Sequence, residues 1–125
     1  MQNQNSKPKI ELKYRAYQYS IKVIEFIDAL PNDISTSTIA KQLLKSATSI
    51  GANIIEAKGA SSKRDFANFF AYALKSANES LYWLGLLRDA KKLNGPLLNY
   101  LLKETKELAN ILGSSILTMK GKNKF

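Results

Sequence analysis

Apolar side chains recur every three or four positions along four segments of the chain, and this is the spacing of one face of an α-helix. The first segment runs from about residue 10 to residue 30, and the fourth from Pro96 to about Met119. The predicted core positions of the first segment are Ala16, Tyr17, Val23, Ile24, Ile27 and Leu30. Sustained alternation of period two is absent, so the pattern predicts helices and no strands.

Turn-forming and capping residues separate the four segments. A Pro-Asn-Asp run at residues 31–33 stops the first helix, and any residue of the Ser-Thr-Ser-Thr cluster at 35–38 is a candidate N-cap for the second. The second helix is predicted to continue to about Lys58, where Gly59 supplies a C-terminal stop.

The third helix is predicted to open with a capping box formed by Ser62 and Asp65. In this motif the serine accepts a hydrogen bond from the amide three residues on, and the carboxylate reaches back. The helix is expected to end near Leu93. The following Asn94-Gly95-Pro96 combines a glycine stop with a proline suited to the first turn of the fourth helix.

Four long helices with short connections predict an all-α fold, an up-and-down antiparallel four-helix bundle. The chain has 125 residues, of which 45% are apolar, and this is enough to bury one core. The predicted bundle domain covers residues 9–119. Residues 1–8 are expected to form a disordered N-terminus, and residues 120–125 a basic flexible tail.

The first and third helices carry more apolar surface than one bundle needs. A helix in an isolated bundle requires a limited apolar arc, yet here aromatic and aliphatic side chains extend well beyond it. The surplus predicts a surface for self-association. The alternative is that tyrosines merely cover the bundle edge with their hydroxyls in water. The candidate interface residues are Tyr14, Tyr19, Phe26, Tyr72, Trp83 and Leu86.

The composition excludes several chemistries. The sequence contains no cysteine and no histidine, which removes thiolate catalysis, disulfides and the commonest general base and nitrogen metal ligand. Catalysis is therefore not expected, and no cofactor or nucleotide-binding motif is present. The polar N-terminal residues and the lack of a long apolar run predict a cytoplasmic protein.

A row of polar residues follows the flank of the second helix, and a shorter row follows the third. Such groups require partners on a neighbouring helix or in another subunit. Glu56 and Glu79 are placed where they can face each other, but without histidine a di-metal site is disfavoured and no metal is predicted. We assign the rows a structural role in fixing helix register. They comprise Ser46, Ser49, Asn53, Glu56, Ser76 and Glu79.

Nineteen Lys and Arg residues against ten Asp and Glu give a formal net charge of +9, which favours polyanionic partners. The competing interpretation is ordinary solvation of helix backs by lysine. Clusters on the second and third helices are the candidate phosphate contacts. They comprise Lys41, Lys45, Lys63, Arg64, Arg88, Lys91 and Lys92.

One stretch resembles a known family. The run from Gln42 to Glu56, with its Ser-Ile-x-x-Asn-Ile-x-Glu core, resembles the four-helix bundle proteins encoded in 23S rRNA intervening sequences. The Ser-Lys-Arg-Asp-Phe at 62–66 and Lys-Ser-Ala-Asn-Glu at 75–79 extend the resemblance. These proteins look like relatives of the accessory variability proteins of diversity-generating retroelements. The resemblance implies a ring-like homopentamer, a basic character suited to RNA or DNA, and no established catalysis.

The sequence therefore predicts a non-catalytic, oligomeric helical bundle that binds RNA or DNA through phosphate contacts with low sequence specificity. The alternative is an oligomeric scaffold that holds a nucleic-acid enzyme such as a reverse transcriptase. Neither a membrane nor a small-molecule substrate is indicated by the sequence.

Overall fold

The computed structural model describes residues 11–123, and this part of the chain contains four α-helices and no strand. They are α1 (Leu12–Asp28), α2 (Ile34–Lys58), α3 (Lys63–Ala90) and α4 (Pro96–Asn123). The all-α prediction is confirmed. None of the described helices is long and apolar enough to cross a membrane.

Each helix packs on its neighbours in sequence, and α4 also packs on α1, so that the four helices form a closed square. Consecutive helices run antiparallel. The start of α2 meets the end of α3 where Lys91 Nζ lies 3.0 Å from the Asp33 carboxylate. The start of α3 likewise meets the end of α4, where Phe66 and Met119 line one groove. The bundle is thus of the up-and-down type, and α1 begins at the end of the bundle where α4 finishes.

The core of the bundle is built mainly from leucine, isoleucine and alanine. The most extensive contact between helices is that of α2 with α3. Small side chains at the buried positions of these two helices permit a close approach, since an alanine keeps two helix backbones nearer than a leucine does. The buried alanines of the pair are Ala40, Ala47, Ala57, Ala67, Ala73 and Ala77.

The core face of α1 differs from the predicted one. Tyr17 and Ile24 are 66% and 44% exposed, whereas Tyr19 and Phe26 are buried together with Ala16 and Val23. The predicted interface role of Tyr19 and Phe26 is therefore wrong, because both side chains are enclosed within one copy. Since α1 is apolar around most of its circumference, helical periodicity alone does not select the face that turns inward.

The cap of α2 is Asp33 and not a residue of the Ser/Thr cluster. Its carboxylate accepts hydrogen bonds from the Thr36 amide and the Thr36 hydroxyl, each at 3.0 Å. These bonds, together with the ammonium of Lys91, hold the pKa of Asp33 well below its usual value. The cap and the Lys91 ion pair therefore fasten the start of α2 to the end of α3.

The cap predicted for α3 is confirmed, because the Ser62 hydroxyl accepts a hydrogen bond from the Asp65 amide at 3.0 Å. The Asp65 carboxylate reaches back to the amide of Ser61 and not to that of the serine cap. At its other end α3 stops at Ala90, before the predicted Leu93. The chain then turns through Lys92, whose φ of 56° is left-handed.

The last helix continues to Asn123, past the predicted end at Met119. The flexibility expected for residues 120–125 stays a prediction, and the N-terminus expected at residues 1–8 lies outside the described residues. Of the mid-helix glycines, Gly51 faces Ala16 of α1 so closely that an added Cβ would lie 3.4 Å from the alanine Cβ. Gly51 thus allows α1 to approach α2.

Candidate nucleic-acid interface on α2 and α3

The seven basic residues singled out in the sequence do not form one patch. Arg88, Lys91 and Lys92 lie where α3 ends beside the start of α2, as the Asp33 ion pair shows. Lys63 and Arg64 open α3 at the opposite end. Arg64 and Arg88 are about 36 Å apart along the helix at 1.5 Å per residue. Only Lys41 and Lys45, both exposed on α2, lie between these two groups.

Some of these charges are neutralised within the chain. The Arg88 guanidinium contacts the neighbouring Asp89 carboxylate at 2.7 and 3.1 Å, and Lys91 is paired with Asp33. The pKa of Asp89 is accordingly lowered, chiefly by the Arg88 hydrogen bond. Within residues 11–123 neither Lys41 nor Lys45 makes an ion pair. Their charge faces water undiminished.

One member of the polar row on α2 finds a partner on α3. The Ser46 and Ser80 hydroxyl oxygens are 2.8 Å apart in the core, and the Ser80 hydroxyl lies at the same distance, 2.8 Å, from the Ser76 carbonyl. The Ser46 hydroxyl likewise lies 3.3 Å from the Leu43 carbonyl, so either serine can donate in the hydrogen bond between them. The sequence points to Ser46 and misses Ser80, which lies on the buried face of α3 among alanine, leucine and phenylalanine side chains.

Three further members of the row, Ser49, Asn53 and Glu79, make their side-chain hydrogen bonds within their own helices. The Ser49 hydroxyl donates to the Lys45 carbonyl at 2.8 Å, and the Asn53 amide donates to the Ser49 carbonyl at 2.9 Å. The Glu79 carboxylate accepts a hydrogen bond of 3.3 Å from the Trp83 indole nitrogen. Of the predicted register-fixing residues, Ser46 is the one whose side-chain contact to a neighbouring helix is seen.

Glu56 and Glu79 do not face each other. Glu79 precedes Ser80, which touches Ser46, whereas Glu56 lies about 15 Å beyond Ser46 along α2. Among the described residues, no group of three or more acidic side chains is placed to hold a metal ion.

A surface groove runs between α2 and α3 and encloses about 310 Å³. It brings together one lysine from each helix, Lys45 and Lys75, with hydroxyl, amide and carboxylate groups between them. This α2/α3 groove is lined by Gln42, Lys45, Ser46, Ser49, Tyr72, Lys75, Ser76 and Glu79. Its lining is mainly polar.

The contact between α1 and α4 also contains polar side chains, but these are hydrogen-bonded to one another. Arg15 binds Glu104 through two hydrogen bonds of 2.6 and 2.9 Å and also contacts Glu107. The hydrogen bonds that Arg15 donates to Glu104, opposed by partial burial, raise the pKa of the guanidinium. These residues are far apart in the sequence, and no periodic signal marks them as partners.

Deeper in the same contact, the Tyr19 hydroxyl lies 2.6 Å from the Thr105 hydroxyl, which donates to the Leu101 carbonyl. Tyr19 thus donates to Thr105. Burial raises the pKa of Tyr19 to about 12. We define the α1/α4 seam as Arg15, Tyr19, Glu104, Thr105 and Glu107.

The outer surface of α1 carries exposed apolar side chains at heptad spacing, at Tyr14, Tyr17, Ile21 and Ile24. Of the other predicted interface residues, Tyr72 is exposed, and Trp83 and Leu86 are half-buried. We call the exposed α1 positions the α1 outer stripe.

The model of the 23S rRNA-intervening sequence protein family matches residues 9–114. The chain belongs to this family. In agreement, this family member is similar to the crystal structure, at 1.70 Å resolution, of a protein with unknown function from the S23 ribosomal protein family of Bacteroides thetaiotaomicron VPI-5482. The two chains are 34% identical with a TM-score of 0.78, over 85% of this chain and 98% of the other. A comparison with curated proteins gave no match.

Proposed function

We propose that this 23S rRNA-intervening sequence protein is a non-catalytic helical bundle that binds RNA or DNA through phosphate contacts with little sequence preference. The observation that carries the proposal is the presence on α2 and α3 of exposed lysines that form no ion pair with a carboxylate of residues 11–123, namely Lys41, Lys45 and Lys75. Unpaired surface lysines on a chain of net charge +9 attract polyanions and contact them as point charges.

We further propose that several copies assemble into a ring, with five copies implied by the resemblance noted above. The α1 outer stripe supports this, since an exposed apolar row at heptad spacing is typical of a surface that packs on another helix. Each copy in a ring repeats the same lysines, and this multiplies weak phosphate contacts without any new contact chemistry.

Titration of the complex with salt tests the phosphate mechanism. Fluorescence anisotropy of a labelled oligonucleotide should give a dissociation constant that rises linearly with salt on logarithmic axes, because each phosphate contact releases counterions. Charge reversal of Lys41, Lys45, Lys63 and Arg64 should reduce the gel shift. Affinity that persists at high salt would contradict the proposal.

Sedimentation tests the assembly. The chain of 14.0 kDa should sediment as a larger particle, and Ile21→Lys with Ile24→Lys should shift it toward the monomer. A single 14.0 kDa species at high concentration would remove the ring from the proposal.

The alternative function is a scaffold for a protein partner such as a nucleic-acid enzyme. The apolar α1 outer stripe favours it, because that row suits a protein surface as well as a second copy. Binding to such a partner should not respond to polynucleotide competitor, which separates the two functions.

A further inference from the structure

The α2/α3 groove brings two lysines to one surface together with a single carboxylate, that of Glu79. Lys45 comes from α2 and Lys75 from α3, and both line the same space of about 310 Å³. Within the described chain neither forms an ion pair. An anion bound in the groove would be attracted by both ammonium groups.

Further hydrogen-bond donors point to a phosphate as the anion. In residues 11–123 the side chains of Gln42 and Ser76 make no hydrogen bond to protein, so their amide and hydroxyl donors are available at the groove. The Ser49 hydroxyl is already used on the Lys45 carbonyl. Two ammonium groups, a hydroxyl and an amide match the several acceptor oxygens of a phosphate group.

The remaining polar group argues for more than inorganic phosphate. Glu79 is the one carboxylate in the lining, and its hydrogen bond with Trp83 holds it toward one end of the groove. A carboxylate beside a phosphate site suits a ligand that also carries hydrogen-bond donors. A nucleotide combines both, since its base and sugar donate hydrogen bonds and its phosphate accepts them.

An aromatic platform stands at the other end of the groove. Tyr72 is 54% exposed, and its ring meets Phe69 edge to face at 6.0 Å between centroids. The contact fixes the ring while more than half of the side chain faces water. Trp83 follows along α3 about 16 Å away. A basic groove flanked by aromatic rings is the arrangement by which proteins bind single strands.

We propose that the α2/α3 groove binds one nucleotide of single-stranded RNA or DNA, with its base stacked on Tyr72 and its phosphate between Lys45 and Lys75. The inference rests on the proposed function and deepens it, because it names the strand state and the site. A duplex keeps its bases stacked inside and cannot offer one to Tyr72. The sequence assigned Tyr72 to contacts between copies, and the groove gives it this different role.

Substitution of Tyr72 tests the stacking in the full chain. With a labelled, unstructured single-stranded RNA, Tyr72→Leu should weaken binding about 5- to 100-fold, since one stacked base is worth roughly 1 to 3 kcal/mol. Tyr72→Phe keeps the ring and should bind within about twofold of the unsubstituted chain. Both variants should keep the fold, because this side chain is exposed.

A charge-matched pair of double variants tests the phosphate contact. Lys45→Gln with Lys75→Gln should weaken binding and lower the slope of its salt dependence. Lys103→Gln with Lys106→Gln removes the same charge from exposed positions on α4 and should have a smaller effect. Equal losses in the two double variants would overturn the groove as the site.

Tryptophan fluorescence tests whether the protein binds a single strand in preference to a duplex. Trp83 is the sole tryptophan, so its fluorescence should change when the single strand binds and should not change with a duplex of the same length. Binding of RNA that is indifferent to Tyr72→Leu, or a duplex bound as tightly, would overturn this inference and leave the proposed function standing. If the unsubstituted chain bound no nucleic acid at all, the proposed function itself would fall.

Discussion

The α2/α3 groove and the α1/α4 seam differ in how their polar side chains are paired. Both place polar side chains between two packed helices. In the seam, Arg15 is matched by Glu104 and Glu107, and the Tyr19 hydroxyl is matched by Thr105. In the groove, the lysines form no ion pair with any part of the chain that the structure describes, and the open space beside them reaches solvent.

The difference separates polar groups that stabilise the fold from those available to a ligand. Within the described residues, no buried side-chain nitrogen or oxygen lacks a hydrogen-bond partner. The seam therefore contributes its hydrogen bonds to the monomer, and little remains there for an external molecule. The unpaired donors of the α2/α3 groove cost little in the free protein, because water solvates them.

The largest expected effect on the free energy of unfolding comes from a substitution in the α1/α4 seam. Arg15→Ala should lower the free energy of unfolding by about 2 to 4 kcal/mol, because it leaves the Glu104 carboxylate without its counter-charge. The Glu104 side chain is only 11% exposed, whereas that of Arg15 is 27% exposed, which keeps the loss below that of a fully buried pair. Urea unfolding monitored by circular dichroism measures it.

A matched control for Arg15 lies on the same helix. Lys22 pairs with Glu25 at 3.5 Å, and both side chains are exposed to solvent. Lys22→Ala should therefore change the free energy of unfolding by less than about 0.5 kcal/mol. Equal losses for Arg15 and Lys22 would show that the seam is no more stabilising than an ordinary surface ion pair.

The second-largest expected effect is a loss of folding stability at alkaline pH, through titration of Tyr19 in the seam. The folded pKa of Tyr19 is raised from 10.0 to about 12, so the folded state keeps the proton longer than the unfolded state does. Its contribution is fully present below pH 10 and is lost as the pH rises toward 12. The loss amounts to about 2 to 3 kcal/mol at 1.4 kcal/mol per pKa unit.

Tyr19→Phe isolates this effect, since the ring remains and the titrating hydroxyl is gone. Urea unfolding at pH 8 and at pH 11.5 should show a smaller pH-dependent loss for the variant than for the unsubstituted chain. The comparison is needed because the pKa of Tyr100 is also raised, by partial burial and by Glu104. An identical loss in both proteins would assign the pH dependence elsewhere.

The smallest expected effect on the free energy of unfolding comes from the hydrogen bond between Ser46 and Ser80, beneath the groove. A double-mutant cycle of Ser46→Ala and Ser80→Ala should give a coupling energy of about 0.5 to 1 kcal/mol, the usual worth of one neutral hydrogen bond. The single variants are mild because alanine is well tolerated in a helix. A coupling near zero would mean that the Ser46 to Ser80 hydrogen bond does not hold α2 in register with α3.

The fold was largely predictable from local signals. The capping residues Ser62 and Asp65 and the Gly95-Pro96 break mark helix ends through contacts within a few residues, which a sequence displays directly. The start of α2 was misjudged because Asp33 belongs to the turn that stops α1 and also caps the next helix. The core face of α1 was misjudged because apolar residues surround that helix.

The candidate site was less predictable. The sequence identifies Ser46, Ser49, Ser76 and Glu79 as unusual, but their gathering into one groove with Lys75 depends on how α2 and α3 are aligned. The partners of Arg15 and Tyr19 lie on α4, and no pattern of period 3.6 carries information across that distance. The sequence therefore identifies which polar residues are unusual, but it does not identify their partners on other helices.

The up-and-down arrangement has a consequence for chain connectivity. Because α1 starts and α4 finishes at the same end of the bundle, a short linker can join them, and new termini can be opened in the exposed turn between α3 and α4. Such a circular permutant would keep every helix contact while making α1 follow α4 directly. It would join α1 covalently to α4, which has the smaller contact of the two helices that α1 packs on, without altering any side chain at the lysine-lined surface.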